Sequence, residues 1–469
     1  MERGWSRLND PSFIKEHIVK NKTTVSPQAP GIGRRGFMGA LAATAAGAVA
    51  GPALAGVSMA APAAAAGATG ESGRATRVRT GVEELIASDY AVLTGQRVGI
   101  VTNPTGVLPN LTHEVDVMAA SDLVDVVAVF GPEHGFRGTA QAGSSEGSYV
   151  DERTGLTVWD TYLKSGPALV DIVNNSGVDT LVFDIQDAGA RFYTYIWTMY
   201  DCMLAAAVAG KRFVVLDRPN PTTGLAARGP VLDRAFATFV GRREISQQHG
   251  MTAGELALLF AAEYLADETD QPLQVDVVQM RGWKRDQAFA DTGLPWILPS
   301  PNMPTPDTAL VYPGTCMFEG TNLSEGRGTT RPFELVGAPY VDEAWAAALR
   351  GLELPGVLIR EAYFNPTFSK HVGVTCGGVQ LHVTDPGLFD ALRTGTAMIV
   401  AAKRLYGADF AWRTDNWIDK LTGSMRFRTM VDAGASTDEV VGAWSSELAA
   451  FDALRREHLL YGPRGGGQS

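Results

Sequence analysis

The chain has 469 residues, a formal net charge of −11, 45% apolar residues and 19% charged ones. That length exceeds what one ordinary core supports and predicts two domains, while the composition excludes a disordered or fibrous chain. The acidity argues against phosphate backbones, and so against nucleic acid as a partner.

Near the N-terminus Arg34 and Arg35 are followed by Phe37 and a weakly apolar run rich in Ala and Gly. This resembles a twin-arginine export signal, with small-residue cleavage sites around residues 61–66. A membrane anchor is the competing reading, but an Ala/Gly run is poorly apolar for a stable span. The expectation is therefore that residues 1–66 are removed and that the protein is exported, extracellular or cell-wall associated, without a membrane span after cleavage. Those residues carry seven basic and three acidic side chains, so the remainder holds −15. Residues 67–80 form a polar linker.

From residue 81 the pattern alternates between short apolar runs and amphipathic stretches, which predicts parallel βαβ units. The run Arg97–Thr102 is a first strand ending at Asn103-Pro104. Its turn, VTNPTGV, lacks the GxGxxG pattern of a dinucleotide site, so NAD and FAD lose their main support. Residues 111–120 suit a helix. The run VVAVF ends in FGPEHGFRG, delivering Glu133, His134 and Arg137 at a strand exit. In open α/β sheets, ligands sit outside the carboxyl ends of the strands. Residues 144–164 are polar and loop-like, with Tyr149, Trp159 and Tyr162 able either to stack on a sugar or to cover the core. The run DTLVFDIQDAGARFYTY reaches Asp184 and continues through Asp187, Arg191, Tyr193 and Tyr195. A fourth strand, RFVVL, ends at Asp217, Arg218 and Asn220. Asn103, Glu133, Asp184 with Asp187, and Asp217 with Asn220 thus all fall on one predicted edge. Thr252 and Glu255 have capping-box spacing, which gives Glu255 a structural role, whereas His249 has no such explanation. A fifth strand spans residues 273–280.

A Pro-rich crossing segment at residues 294–314 marks a domain boundary near residue 300. Residues 315–340 are Gly-rich and polar, with Glu319, Asn322, Ser324, Glu325, Arg327 and Arg331 close together; such a stretch is a solvated loop by default and a ligand-facing one by density of function. Two strands (356–364 and 376–385), a long helix (386–407) and a terminal helix (437–456) follow, and residues 463–469 suit a disordered tail. No HExxH pattern is present, so no cofactor or tight metal site is expected. Cys202, Cys316 and Cys376 imply no disulfide framework, with a single bridge left open.

Together FGPEHGFRG, FDIQDAGARFYTY, LDRPNP, HGMTAGELA, PSPNMPTPDTALVYPG and FEGTNLSEGRGTTRPFELVGAP resemble the NamZ-type exo-β-N-acetylmuramidases over residues 80–460. The resemblance implies a Rossmann-like, mostly parallel α/β domain (81–300), a smaller α+β domain (301–462) and an active site in the cleft between them. It implies release of N-acetylmuramic acid from non-reducing ends of peptidoglycan fragments, with Glu133 as a catalytic residue. A non-catalytic muropeptide-binding protein using the same cleft is the alternative. Glycoside hydrolysis needs a second group, for which Asp184 and Asp187 are the candidates, unless the substrate's own acetamido oxygen serves. Arg137, Arg191 and Arg327 are candidates to clamp the lactyl carboxylate. His134, His249, Asn220, Asn322 and Tyr193 would hold hydroxyl and acetamido groups, with Asn103 and Glu325 completing the substrate-binding set. A homodimer is compatible with this reading.

Overall fold

A computed structural model describes residues 77–462 except Ala142; the expected export signal, most of the linker and the tail lie outside the described residues. A seven-stranded sheet forms from β1 (Arg97–Thr102), β2 (Asp125–Gly131), β3 (Tyr149–Val150), β4 (Thr157–Asp160), β5 (Thr180–Asp184), β6 (Arg212–Leu216) and β9 (Val275–Val278), in the order β3-β4-β2-β1-β5-β6-β9. Every pair is parallel except β3 with β4. The central strands are almost wholly buried, as expected of a sheet covered on both faces. A short antiparallel ribbon, β7 (Arg228–Val231) with β8 (Ser246–Gln248), stands apart from it.

Helices cover both faces: α1 (Gly81–Ala87), α2 (Glu114–Ala119), α3 (Gly166–Ser176), α4 (Tyr195–Val208) and α5 (Ala253–Glu263). The start of α5 is fixed by a capping box, with Thr252 Oγ1 accepting from Glu255 N–H and Glu255 accepting from Thr252 N–H. The chain leaves β1 toward β2 and leaves β5 toward β6, so the connections diverge between these two neighbours. That divergence opens a crevice at their carboxyl ends, where ligands of such sheets bind.

The stretch 144–164 is not a plain loop. It contains β3 and β4; β4 extends the sheet beside β2, and the two-residue β3 closes that edge, so the polar residues of the stretch fit a half-exposed margin of the sheet. The Pro-rich crossing likewise contains a buried helix, α6 (Pro306–Thr315), which starts on Thr305 with Pro306 in its first turn and carries Pro313 in its last. A second sheet follows, antiparallel, in the order β10 (Leu335–Ala338), β12 (Cys376–Val383), β11 (Val357–Phe364). Helix α7 (Glu343–Arg350) packs beside it, α8 (Ala391–Leu405) packs against α6 and α7, and the expected terminal helix is two, Thr437–Gly442 and Ser445–Arg456. One apolar cluster runs from Val101 through Phe260 and Val379 to Phe451, so the two sheets share a core, while a second lies under α1 and α2. All three cysteines are buried and free. No helix among the described residues is long and apolar enough to cross a membrane.

Candidate active site

Glu133 lies two residues beyond β2, half-buried, in a loop that turns sharply through His134 (φ +70°) and Gly135 (φ +83°). A Cβ on Gly135 would stand 2.2 Å from the Glu146 side chain, so the left-handed turn and the close approach both demand glycine there. Glu146 gathers the loop by accepting from Thr139 N–H (2.9 Å), Thr139 Oγ1 (2.9 Å) and Tyr149 OH (2.9 Å). Burial pushes its carboxyl up, but these donors outweigh burial and hold it below the usual range. Glu133 is held in turn. Its Oε1 accepts from Gly143 N–H at 2.8 Å and its Oε2 from Thr194 Oγ1 at 2.8 Å. The Tyr162 hydroxyl lies beside it, pushed upward by its own burial and then by the Glu133 charge.

Asn103 is fully buried at the end of β1, with Oδ1 accepting from Thr105 N–H (2.9 Å) and Nδ2 without a partner. After β5, Asp187 Oδ2 accepts from Gly189 N–H (2.6 Å) and lies 3.1 Å from His249 Nε2. Since His249 Nδ1 accepts from Met251 N–H (3.3 Å), the neutral ring carries its proton on Nε2 and donates to Asp187. Tyr193 lies near these groups: its hydroxyl is buried without a hydrogen-bond partner among the described residues, has Glu133 and Asp187 among its charged neighbours, and is pushed well up by burial first and then by Tyr195. The Tyr193 ring stands edge-on to Tyr195 (5.2 Å) and to Tyr312 (5.6 Å). Tyr312 contacts Phe333 (4.7 Å), and the Arg327 guanidinium lies 5.0 Å over the Phe333 ring. Aromatic contacts therefore link the Glu133 site to the second sheet's side of the molecule.

Several expected residues are occupied elsewhere. Asp184 is fully buried and bidentately paired with Arg218, beside a Glu114 carboxyl that burial and Asp184 push well up. Its side chain shares the Val182 side of β5, toward α1 and α2, because strand side chains alternate. Asp184 is thus corrected from catalytic candidate to structural ion pair. Arg137 is tied to Asp151 (2.9 Å) and Asp116 (2.8 Å). Arg191 is fully buried and donates to the carbonyls of Pro230 (2.9 Å), Ile245 (3.0 Å) and Leu421 (2.8 Å), with burial lowering its guanidinium to about 9. Arg191, wholly buried and committed to three carbonyls, cannot clamp a substrate carboxylate. The Asn220 side chain bonds Met251 O and Thr222, and that of Asn322 bonds Asp409 O, Tyr340 and Ala411 N–H, so both serve the fold. His134 Nδ1 faces Ala140 O at 3.1 Å and shapes its loop. His249 is wholly buried and reaches Asp187 rather than a ligand. Glu325 is buried against Lys370 (2.9 Å) and Arg327 (3.3 Å), while Arg327 also pairs with Glu319 (2.7 Å) and stays about a fifth exposed.

Thr194 and Tyr162, which touch Glu133, were not among the expected site residues. Thr194 was legible only as the single non-aromatic residue in the run FYTY, and Tyr162 as one of three aromatics near a strand.

Comparison with known proteins bears on the whole chain. Residues 98–307 match the family described as exo-β-N-acetylmuramidase NamZ, N-terminal, and residues 310–461 match its C-terminal counterpart. The chain is 46% identical over 386 residues to the peptidoglycan β-N-acetylmuramidase NamZ of Bacillus subtilis strain 168, covering 82% of this chain and 92% of that protein. Two crystal structures of DUF1343 family proteins from Bacteroides fragilis are similar in fold. One has a TM-score of 0.75 at 34% identity, covering 82% of this chain and 99% of the other; the second has 0.65 at 31%, covering 83% and 100%. With both halves matched in order and nearly all of a curated relative covered, the chain belongs to the NamZ exo-β-N-acetylmuramidase family.

Proposed function

We propose that this chain is an exo-acting glycoside hydrolase that releases N-acetylmuramic acid from the non-reducing ends of peptidoglycan fragments, with Glu133 as the acid that protonates the leaving oxygen. The observation that carries the assignment is the Glu133 carboxylate, gripped by Gly143 N–H and Thr194 Oγ1 beside the crevice of a sheet in a chain that matches the muramidase family over residues 98–307 and 310–461. A carboxyl fixed at both oxygens is aimed without cost of reordering when substrate arrives. Asn103 Nδ2, buried and unpartnered, supports a role as a donor to a sugar oxygen, and Tyr193 supports one as a wall of the same pocket.

Of the three arginines weighed for the lactyl carboxylate, Arg327 is favoured by its place rather than by a lack of partners. It is partly exposed, lies 5.0 Å over the Phe333 ring, and is one aromatic contact beyond Tyr312 from Tyr193. Export through the segment containing Arg34 and Arg35 belongs to the same proposal, because the polymer lies outside the cytoplasm. Replacing both arginines by lysine should retain the protein inside the cell.

The direct test is Glu133→Gln assayed on a chromogenic β-muramide and on MurNAc-GlcNAc disaccharide. Removing a general acid lowers kcat by roughly 10²- to 10⁴-fold. Turnover at the wild-type rate by a folded variant would remove Glu133 from the mechanism.

A further inference from the structure

The carboxylate of Asp187 is half satisfied. Oδ2 receives Gly189 N–H and His249 Nε2–H, whereas Oδ1 is buried and has no partner. A carboxylate oxygen removed from water without a donor is destabilising until a donor reaches it. Gly189, at φ +74°, turns the loop so that its own N–H pins Oδ2. Both nitrogens of His249 are engaged, so the imidazole cannot contact a ligand and acts only on Asp187. The result is a carboxylate fixed in orientation with one acceptor reserved. Thr194, whose hydroxyl holds Glu133, follows Tyr193 directly in the chain, and the buried Tyr193 hydroxyl has both Glu133 and Asp187 among its charged neighbours.

We infer that Asp187 Oδ1 receives the N–H of the substrate's 2-acetamido group and holds the acetamido carbonyl oxygen against the anomeric carbon, with His249 as the positioning residue. This rests on the muramidase reading above. The acetamido group supplies what the site lacks, a neutral N–H donor two bonds from the reacting carbon. In the first step the acetamido oxygen forms a bond to C1 as the C1–O bond to the leaving sugar breaks, and Glu133 gives its proton to the leaving oxygen. The positive charge of the resulting oxazolinium ring is carried beside the N–H held on Asp187. In the second step water attacks C1 and passes a proton to Glu133, and the ring C–O bond returns its electrons to the acetamido oxygen. Two displacements at C1 leave the released sugar in the β configuration.

The experiment compares aryl β-muramides bearing acetyl, fluoroacetyl, difluoroacetyl and trifluoroacetyl groups, with wild type, Asp187→Asn, His249→Ala and His249→Gln. Fluorine withdraws electrons from the attacking carbonyl oxygen, so wild-type kcat should fall at every step of the series. Asp187→Asn should lower kcat on the acetyl substrate by roughly 10²-fold with little change in KM, and flatten the fluorine dependence. His249→Ala should do the same more weakly, and His249→Gln, which keeps a donor, should restore part of it; a purely structural role would not alter the fluorine dependence. Three results overturn the inference while leaving the muramidase reading intact: kcat indifferent to fluorination, a glycosyl ester trapped on Asp187 by a fluorosugar, or an α-configured first product. Failure of the wild-type enzyme to release muramic acid from any of these substrates would instead remove the reading on which the inference stands.

Discussion

The C-terminal end of the described chain returns to the first sheet, and replacing Tyr461 by Phe isolates what that return contributes. The Tyr461 hydroxyl donates to Asp217 Oδ2 at 2.6 Å and accepts Met280 N–H at 3.0 Å, while its ring stands edge-on to Trp283 at 5.1 Å. Phe keeps the ring contact and deletes only the hydroxyl. Asp217 is fully buried; burial pushes its carboxyl up to about 7, against the donors Tyr461, Gly254 and Thr252, which pull it down. An acid raised in this way holds a proton in the folded state that the unfolded state releases. Its favourable contribution is therefore complete below the unfolded value of 3.8 and is lost as pH rises through about 7. Deleting the Tyr461 donor raises Asp217 further, so the penalty of the substitution must grow with pH. Above pH 7 the lost bond is charge-assisted and costs about 1.5–3 kcal/mol; near pH 5, with Asp217 protonated, it costs about 0.5–1.5 kcal/mol. Urea unfolding followed by Trp fluorescence at about pH 5 and about pH 9 should show the difference of roughly 1–2 kcal/mol between the two penalties. A penalty that is equal at both pH values, or larger at the acidic one, would refute the reasoning.

Other expectations can be checked alongside it. Arg327→Lys should raise KM for muramides roughly tenfold, because one ammonium cannot replace a planar fork on a carboxylate, and should not change KM for glucosaminides lacking the lactyl group. Thr194→Ala removes one of the two hydrogen bonds on Glu133 and should lower kcat by about tenfold, with a melting temperature close to wild type. Arg218→Leu leaves the Asp184 charge buried without its partner and should destabilise by about 3–5 kcal/mol in urea unfolding, while Asp184→Asn with Arg218→Leu together should recover part of the loss.

The parallel sheet was legible because β1, β2, β5 and β6 are short β-branched runs bounded by turn residues, and their order could be followed from the alternation with helices. What the sequence concealed had local causes. Strand β4, covered on its outer side only by the two-residue β3, is half-buried, so it lacks the apolar run that identifies a central strand. Helix α6 begins at Pro306 and carries Pro313 in its last turn, and that density of proline hides a helix that Thr305 nonetheless caps. Strand β10 lies in a Gly-rich stretch because its Gly337 meets Gly377 and Gly378 of β12, where a Cβ would lie 2.1 Å from the Gly377 carbonyl oxygen. The candidate site was legible at the level of which strand ends carry polar groups, and not at the level of which groups are free. Partners such as Arg218 for Asp184, or Tyr461 for Asp217, lie 34 and 244 residues away in sequence, and only the fold brings them together.

The distribution of satisfied and unsatisfied polar groups distinguishes the two sides of the sheet. Toward α1 and α2, the charges close among themselves: Asp184 with Arg218, and Arg137 with Asp116 and Asp151. The Glu114 carboxyl beside them, although without a partner, is pushed by burial and by Asp184 toward its neutral, protonated form, and so asks for no cation. Around Tyr193 the opposite holds. Asn103 keeps an unused donor, Asp187 an unused acceptor, and Glu133 is held by a backbone N–H and a hydroxyl rather than neutralised by a cation. Buried polar groups without partners are destabilising, and a ligand that supplies the missing partners would relieve those gathered near Tyr193. On the function proposed above, the sugar would meet the sheet on the side shared with Tyr312 and the second sheet, with Asp187 rather than Asp184 as the carboxylate that accompanies Glu133.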